Sequence, residues 1–110
     1  MIPESTKVWH YCNIYDEAEI GENCVIGSYC EIAGKVGNNC RIEAFTFIPK
    51  GVELEDDVFI GPHVCFTNDK YPPSKGVHWK PTLVKKGAVV GAGTVILPGI
   101  VIGTGAVVGA

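Results

Sequence analysis

Aliphatic residues, with a single Phe among them, recur along this chain at a step of six. Val8, Ile14, Ile20, Ile26, Ile32, Val36, Ile42, Ile48, Leu54, Ile60 and Phe66 mark a first run, and Val84, Val90, Ile96, Ile102 and Val108 a second. The step departs from six only between Ile32 and Val36, where it is four, and between Phe66 and Val84, where it is eighteen. No α-helix has a period of six. Hexads such as "IGENCV", "IGSYCE", "IGPHVC", "VGAGTV" and "IGTGAV" read aliphatic, often Gly, two small or polar residues, a small or β-branched residue, then a variable one. The pattern predicts a short strand carrying the aliphatic residue inward and a tight corner of the kind Gly permits, followed by the next strand. Three such faces close one coil of a triangular prism, and coils stack at strand spacing, about 4.8 Å. The result is a solenoid of about five coils whose core is continuous from unit to unit.

At 110 residues, 1–110 form a single domain. Net charge is −3 and no basic run occurs, so the chain lacks the electrostatic footprint of a nucleic-acid binder. The opening MIPESTKVWHY has no apolar signal-peptide core, and no stretch approaches a membrane span. These features predict a soluble cytoplasmic protein.

Cys12, Cys24, Cys30 and Cys40 share the fifth hexad slot with Ala18, Thr46, Val52, Val58, Val64, Ala88 and Thr94. That slot takes a small side chain near a corner. Cys12 should stack on Cys30, and Cys24 on Cys40, each pair being three hexads apart. With no C-x-x-C pair and a cytosolic setting, the expectation is free thiols acting as small apolar fillers, Cys65 included.

The segment "TNDKYPPSKGVHWKP", residues 67–81, interrupts the repeat. It lies in a projecting loop, 67–83, with two prolines, Tyr71 and Trp79, which is not the small, polar composition of a floppy insertion. Long loops on a rigid scaffold carry function or subunit contacts. The "HWKP" end suggests no role beyond returning the chain to the repeat, and His78 is a candidate contact with a neighbouring subunit.

The repeats at 8–66 and 84–110 resemble the hexapeptide-repeat superfamily, whose members fold as left-handed parallel β-helices. The fold class this implies is all-β, a left-handed parallel β-helix with one projecting loop. Handedness comes from the resemblance alone, since parallel crossovers in general are right-handed. "GVELEDDVFIGPHVCFTNDKYPPS" resembles a stretch of the superfamily's nucleotide-sugar N-acyltransferases, the early "VWHY" a segment of theirs, and "KPTLVKKGAVVGAGTVILPGIVIGTGAVVGA" their acyl-CoA-binding coils. The resemblance implies acetyl-CoA as co-substrate without a metal, a nucleotide-sugar acceptor carrying an amino group, a homotrimer with sites between subunits, and a place in surface-polysaccharide synthesis. Members commonly continue through a further coil, a basic segment and a C-terminal helix, so a C-terminal coil and cap are expected to be absent here.

The residues themselves narrow the chemistry. An alcohol acceptor needs a base, usually His, whereas a neutral sugar amine attacks a thioester without prior deprotonation. Superfamily O-acetyltransferases place a catalytic His in the loop where this chain has "TNDKYP", which favours nitrogen acylation. Asn68 is the first catalytic candidate, matching the family's Asn beside the acceptor sugar, or a turn former at the start of the loop. Asp69 is a second, as a proton acceptor or a turn cap, and His63 a third, as a base or an exposed structural residue. His10 and Tyr71 are substrate-binding candidates, with Tyr71 also shaping the loop. Ala88, Gly91, Ala92 and Gly93 would leave a flat surface for pantetheine, or simply suit corners, and Lys85 and Lys86 would meet coenzyme A phosphates or stand as solvated surface charges. A zinc carbonic anhydrase with three His is the rival, but its closely spaced His pair is missing: His10, His63 and His78 lie 53 and 15 residues apart. An O-acetyltransferase of a small sugar or antibiotic, and a catalytically silent trimeric scaffold, are the remaining alternatives.

Overall fold

The computed structural model describes residues 2–110, and its secondary structure consists of sixteen short parallel strands. Sheet 1 stacks β1 (Lys7–Val8), β4 (Val25–Ile26), β7 (Arg41–Ile42), β10 (Phe59–Ile60), β13 (Val89–Val90) and β16 (Val107–Val108). Sheet 2 stacks β2 (Asn13–Ile14), β5 (Glu31–Ile32), β8 (Phe47–Ile48), β11 (Cys65–Phe66) and β14 (Val95–Ile96). Sheet 3 stacks β3 (Glu19–Ile20), β6 (Lys35–Val36), β9 (Val52–Leu54), β12 (Thr82–Val84) and β15 (Val101–Ile102). Every third strand pairs, so the chain winds around three faces as a left-handed parallel β-helix. Each of the aliphatic residues that mark the repeat ends one strand, as the six-residue step predicts. Their side chains meet along the axis, where Ile26, Ile32, Ile42, Ile48, Ile60, Phe66, Val84 and Val90 are fully buried. Each such side chain stabilises the fold by about 1.5–3 kcal/mol.

Most corners turn through the left-handed backbone region. In the first corner, from sheet 1 to sheet 2, Tyr11, Tyr29, Phe45, His63 and Gly93 take it. In the second, from sheet 2 to sheet 3, Gly51 and Gly99 do so; in the third, Asn23, Asn39, Asp57, Gly87 and Gly105. Inside the corners, two residues before each strand-ending aliphatic, sits the slot shared by the cysteines. The expected stacking of Cys12 on Cys30 and of Cys24 on Cys40 follows from the pairing of β2 with β5 and of β4 with β7. All five cysteines are free.

Their role differs from pure filling. In this slot Thr6, Cys12, Cys24, Cys30 and Cys40 each donate from the side chain to a carbonyl of the coil above, that of Gly21, Gly27, Gly37, Glu43 and Glu55 respectively, at 2.6–3.2 Å, while the Thr46 and Thr94 hydroxyls are shared between their own corner, Glu43 or Gly91, and the coil above, Gly61 or Gly109. A thiol here does the work of a threonine hydroxyl. It satisfies a carbonyl that the strand ladder leaves over, although S–H is a weak donor. Burial pushes the Cys30 thiol above its ordinary pKa, which keeps it in the donating form.

The two departures from the six-residue step fall at one corner. Ile32 to Val36 turns the second corner through Ala33 and Gly34 alone. Gly34 fits because it has no side chain: a Cβ there would lie 2.4 Å from the Val52 carbonyl oxygen. The long interruption leaves from the same corner, after β11. It ends at 81 rather than 83, because Thr82 and Leu83 already pair with Val52 and Glu53.

Two substitutions test this account by urea denaturation followed with far-UV circular dichroism. Gly34→Ala is expected to destabilise by about 1–3 kcal/mol through overpacking against β9. Cys40→Ala, which removes the donor to the Glu55 carbonyl, is expected to lose about 1 kcal/mol while Cys40→Thr stays near wild type; equal losses would show that the thiol is only a filler.

Candidate active site

The interruption folds as a small hairpin laid against the second corner. Lys80 N–H donates to the Asn68 carbonyl at 2.8 Å, Asp69 and Trp79 form an antiparallel bridge, and Lys70 N–H donates to the His78 carbonyl at 3.1 Å. The "HWKP" end therefore has a role the sequence did not suggest, as the partner strand of "NDK". The Tyr71 and His78 rings meet edge to face at 5.2 Å. Asp69 accepts from the amides of Tyr71 at 3.2 Å and Ser74 at 2.8 Å. Desolvation raises its carboxyl, but the bonds from Ser74 and Tyr71 and the nearby His78 outweigh this and hold it below the ordinary carboxylate range. Asp69 thus pins the hairpin.

Asn68 stands where the hairpin meets the prism. Its side-chain amide donates to the Lys50 carbonyl at 2.9 Å, one coil below, and among the described residues nothing donates to its Oδ1. Below it the short corner leaves a notch, and the hairpin closes one side. The result is a groove of about 270 Å³. Asn68, Glu17, Glu31 and Lys50 supply its polar edge, with Tyr15, Phe47 and Trp79 as aromatic walls. The Tyr15 hydroxyl donates to Glu31 at 2.9 Å, and that bond to a carboxylate holds the phenol above its ordinary pKa. Sequence reasoning missed Tyr15, Glu31, Phe47 and Trp79. Glu31 and Phe47 are the outward residues of adjacent paired strands, Glu31 opposite Phe47. Only the three-strand register, applied to the polar positions, could have found them.

The other candidates lie elsewhere. His63 and Asn68 sit at opposite ends of β11, on different corners, so one chain does not bring them together. His63 belongs to an exposed stack on the first corner. Tyr11 and Tyr29 lie 5.3 Å apart, Tyr29 and Phe45 5.1 Å, and Phe45 and His63 4.8 Å, the last two pairs within 10° of parallel. His10 joins the foot of this stack, next to Tyr11. Gly91, Ala92 and Gly93 lie one coil above Gly61, Pro62 and His63, with Gly93 N–H donating to the Pro62 carbonyl at 2.9 Å. Gly91 has a structural reason for lacking a side chain, because a Cβ would meet the Ala110 nitrogen at 2.8 Å.

Ala88 is a correction. It is fully buried in the inner slot, its N–H donates to Lys85 and its carbonyl accepts from Phe59. Its methyl forms no part of an outer surface. Lys85 is half-buried on the third corner, away from Gly91–Gly93. A broader depression of about 420 Å³ on sheet 3 is lined by Glu19, Lys35, Glu53, Glu55 and Lys86, and holds none of the candidates. Among the described residues no group of three His, Cys, Asp or Glu is placed to hold a metal ion, and no helix is long and apolar enough to cross a membrane.

Comparison with known proteins sets this geometry in context. The family described as bacterial transferase hexapeptide (six repeats) matches residues 1–34 and 35–68, and the hexapeptide repeat of succinyl-transferase matches 81–110. No curated protein sequence matches the chain. Among solved structures, AntD, an N-acyltransferase from Bacillus cereus in complex with dTDP and 3-hydroxybutyryl-CoA, superposes with a TM-score of 0.83 at 23% identity, over 97% of this chain and 68% of that one. A point mutant of AntD in complex with dTDP and coenzyme A gives 0.83 at 25% identity, over 99% and 69%. A mutant of perosamine N-acetyltransferase from Caulobacter crescentus, in complex with CoA and GDP-perosamine, gives 0.69 at 18%, over 96% and 49%. The chain thus spans about two thirds of AntD and about half of the perosamine enzyme. With six-residue repeats matched on both sides of the hairpin and a β-helix built from them, the chain belongs to the bacterial hexapeptide transferase family.

Proposed function

We propose that this chain transfers an acetyl group from acetyl-CoA to the amino group of a UDP- or dTDP-linked amino sugar, as a step in building a surface polysaccharide. The observation that carries this reading is the groove beneath the hairpin. It combines an amide oxygen with no protein donor among the described residues, two carboxylates against one lysine, Lys50, and aromatic walls. A protonated amino sugar is a small cation with apolar ring faces. Carboxylates attract the charge, and aromatic faces accept both the cation and the apolar ring. A hydroxyl acceptor would gain no charge attraction from Glu17 and Glu31. The dTDP and coenzyme A held by the AntD mutant support a nucleotide-linked acceptor and a thioester donor.

The chemistry asks mainly for positioning. The neutral fraction of the amine attacks the thioester carbonyl. A C–N bond forms and the C–S bond breaks; the proton leaving nitrogen ends on the departing thiolate. Asn68 Oδ1, accepting one N–H of the amine, aims the nitrogen lone pair at the carbonyl carbon. Glu31, held by Tyr15, draws the acceptor in, and Asp69 keeps the hairpin in place. His63 and His10, on the first corner, are not needed as bases for an amine in this groove. We take the working unit to be a cytoplasmic homotrimer, with pantetheine lying along Gly91, Ala92 and Gly93 of a neighbouring prism and Lys85 available to a phosphate.

The test is thiol release from acetyl-CoA with UDP- and dTDP-linked amino sugars and their hydroxyl counterparts. Amino sugars are expected to react and hydroxyl counterparts to remain inert; reaction of hydroxyl acceptors alone would reverse the assignment. Asn68→Ala is expected to lower kcat/KM about 10- to 100-fold, the loss of one positioned hydrogen bond. Unchanged kcat/KM in that variant would remove Asn68 from the mechanism. Glu31→Gln is expected to raise KM with little change in kcat, since its role is attraction of the acceptor.

A further inference from the structure

The aromatic stack on the first corner is not required by the fold. The third corner needs the same left-handed backbone and meets it with Asn23, Asn39, Asp57, Gly87 and Gly105, residue types that tolerate it. On the first corner four successive coils instead carry Tyr11, Tyr29, Phe45 and His63, bulky residues that adopt this backbone at a cost. Their rings project into solvent, with Tyr11 79% exposed, so burial in the core does not explain the choice.

The two ends of the stack differ. At the foot, His10 turns its ring edge toward Tyr11, at 62°, and Trp9 lies edge-on to His10 at 88°. That end is closed to a flat ligand. At the head, the spacing tightens to 4.8 Å and Phe45 and His63 lie within 10° of parallel. The next residue in the column is Gly93, where a side chain would find nothing within 4 Å. One face of the His63 ring is covered by Phe45, and the other looks onto an open rung at coil spacing.

We propose that this rung binds the heteroaromatic base of a nucleotide, stacked on His63 as the fifth ring of the column and passing over Gly93. A base fits because every base has a flat π face, and the rung offers planar stacking with no hydrogen-bond readout, so it is tolerant of base identity. Two molecules in the proposed reaction carry such a ring: the acyl donor, through its adenine, and the nucleotide-linked acceptor. The inference rests on the acyl-transfer reading only for the source of the base.

Calorimetric titration of the full chain with UDP, dTDP and coenzyme A, beside pantetheine as a ligand without a base, tests the rung. Base-bearing ligands are expected to move the His63 ring-proton resonances upfield. Their Kd should rise roughly 5- to 150-fold in His63→Asn, the range for losing one base–aromatic stack. His63→Tyr keeps a ring and should retain binding. Gly93→Asn tolerates the backbone but fills the rung, and should weaken the same ligands, while pantetheine, which has no base, should bind His63→Asn as it binds wild type. Weakening confined to coenzyme A assigns the rung to the donor's adenine; weakening confined to UDP and dTDP assigns it to the acceptor. If His63→Asn and Gly93→Asn bind all base-bearing ligands as wild type does, the rung is overturned, whatever the acyl-transfer assay shows. If the rung binds bases but no amino sugar is acylated, the acceptor reading falls and the rung stands.

Discussion

Two-residue strands persist in this molecule because the coils above and below hydrogen-bond them. Lys7 N–H reaches Cys24, Val25 reaches Cys40, Arg41 reaches Val58 and Phe59 reaches Ala88, all at 2.9–3.0 Å along one face. A strand this short has no standing alone. Its pairing forces each coil to return to the same place one level higher, and that return constrains everything else. It sets the step between inward aliphatics, makes the corner turn through the left-handed region, and leaves only a small inner slot. It also leaves carbonyls at several corners that the ladder does not use, which explains why cysteine or threonine fills the slot there, with Ala or Val at others.

Function then concentrates where the return is allowed to vary. A corner shortened to Ala33 and Gly34 removes bulk from the prism, and a hairpin inserted on the same corner adds it back as a wall. Neither change alone would make a groove: the short corner would be a shallow notch, and the hairpin would stand over a flat edge. The hairpin is rigid for local reasons. Asp69 takes two of its amides, and Asn68 ties it to the coil below through Lys50. The side chain that anchors the loop thus also lines the groove.

The sequence made much of this legible. Ile26, Ile42, Ile60 and Val90 could be stacked in register from the step alone, and the coordinates pair them so. Asn68 was singled out, and it lines the groove. The outward residues were another matter. Glu31 and Phe47 carry no periodic signal, because solvent imposes no repeat on an outward position. Trp79 was opaque because its neighbours, Asp69 and the walls of the groove, are set by how the hairpin lies on the prism. Ala88 misled because a small residue reads alike whether it flattens a surface or fills an inner slot.

The sequence by itself determined the winding. Hydrophobic burial demands an inward residue at each strand, and a fixed six-residue return writes that demand into the chain as a period. Only the tertiary structure decided which irregularities meet. The step of four and the insertion lie 30 residues apart between Val36 and Phe66, yet they share a corner because each complete coil brings the chain back to the same edge. It likewise decided that the rings of Tyr11, Tyr29, Phe45 and His63 form one column with an open head, since stacking between coils depends on register in space and not on nearness along the chain.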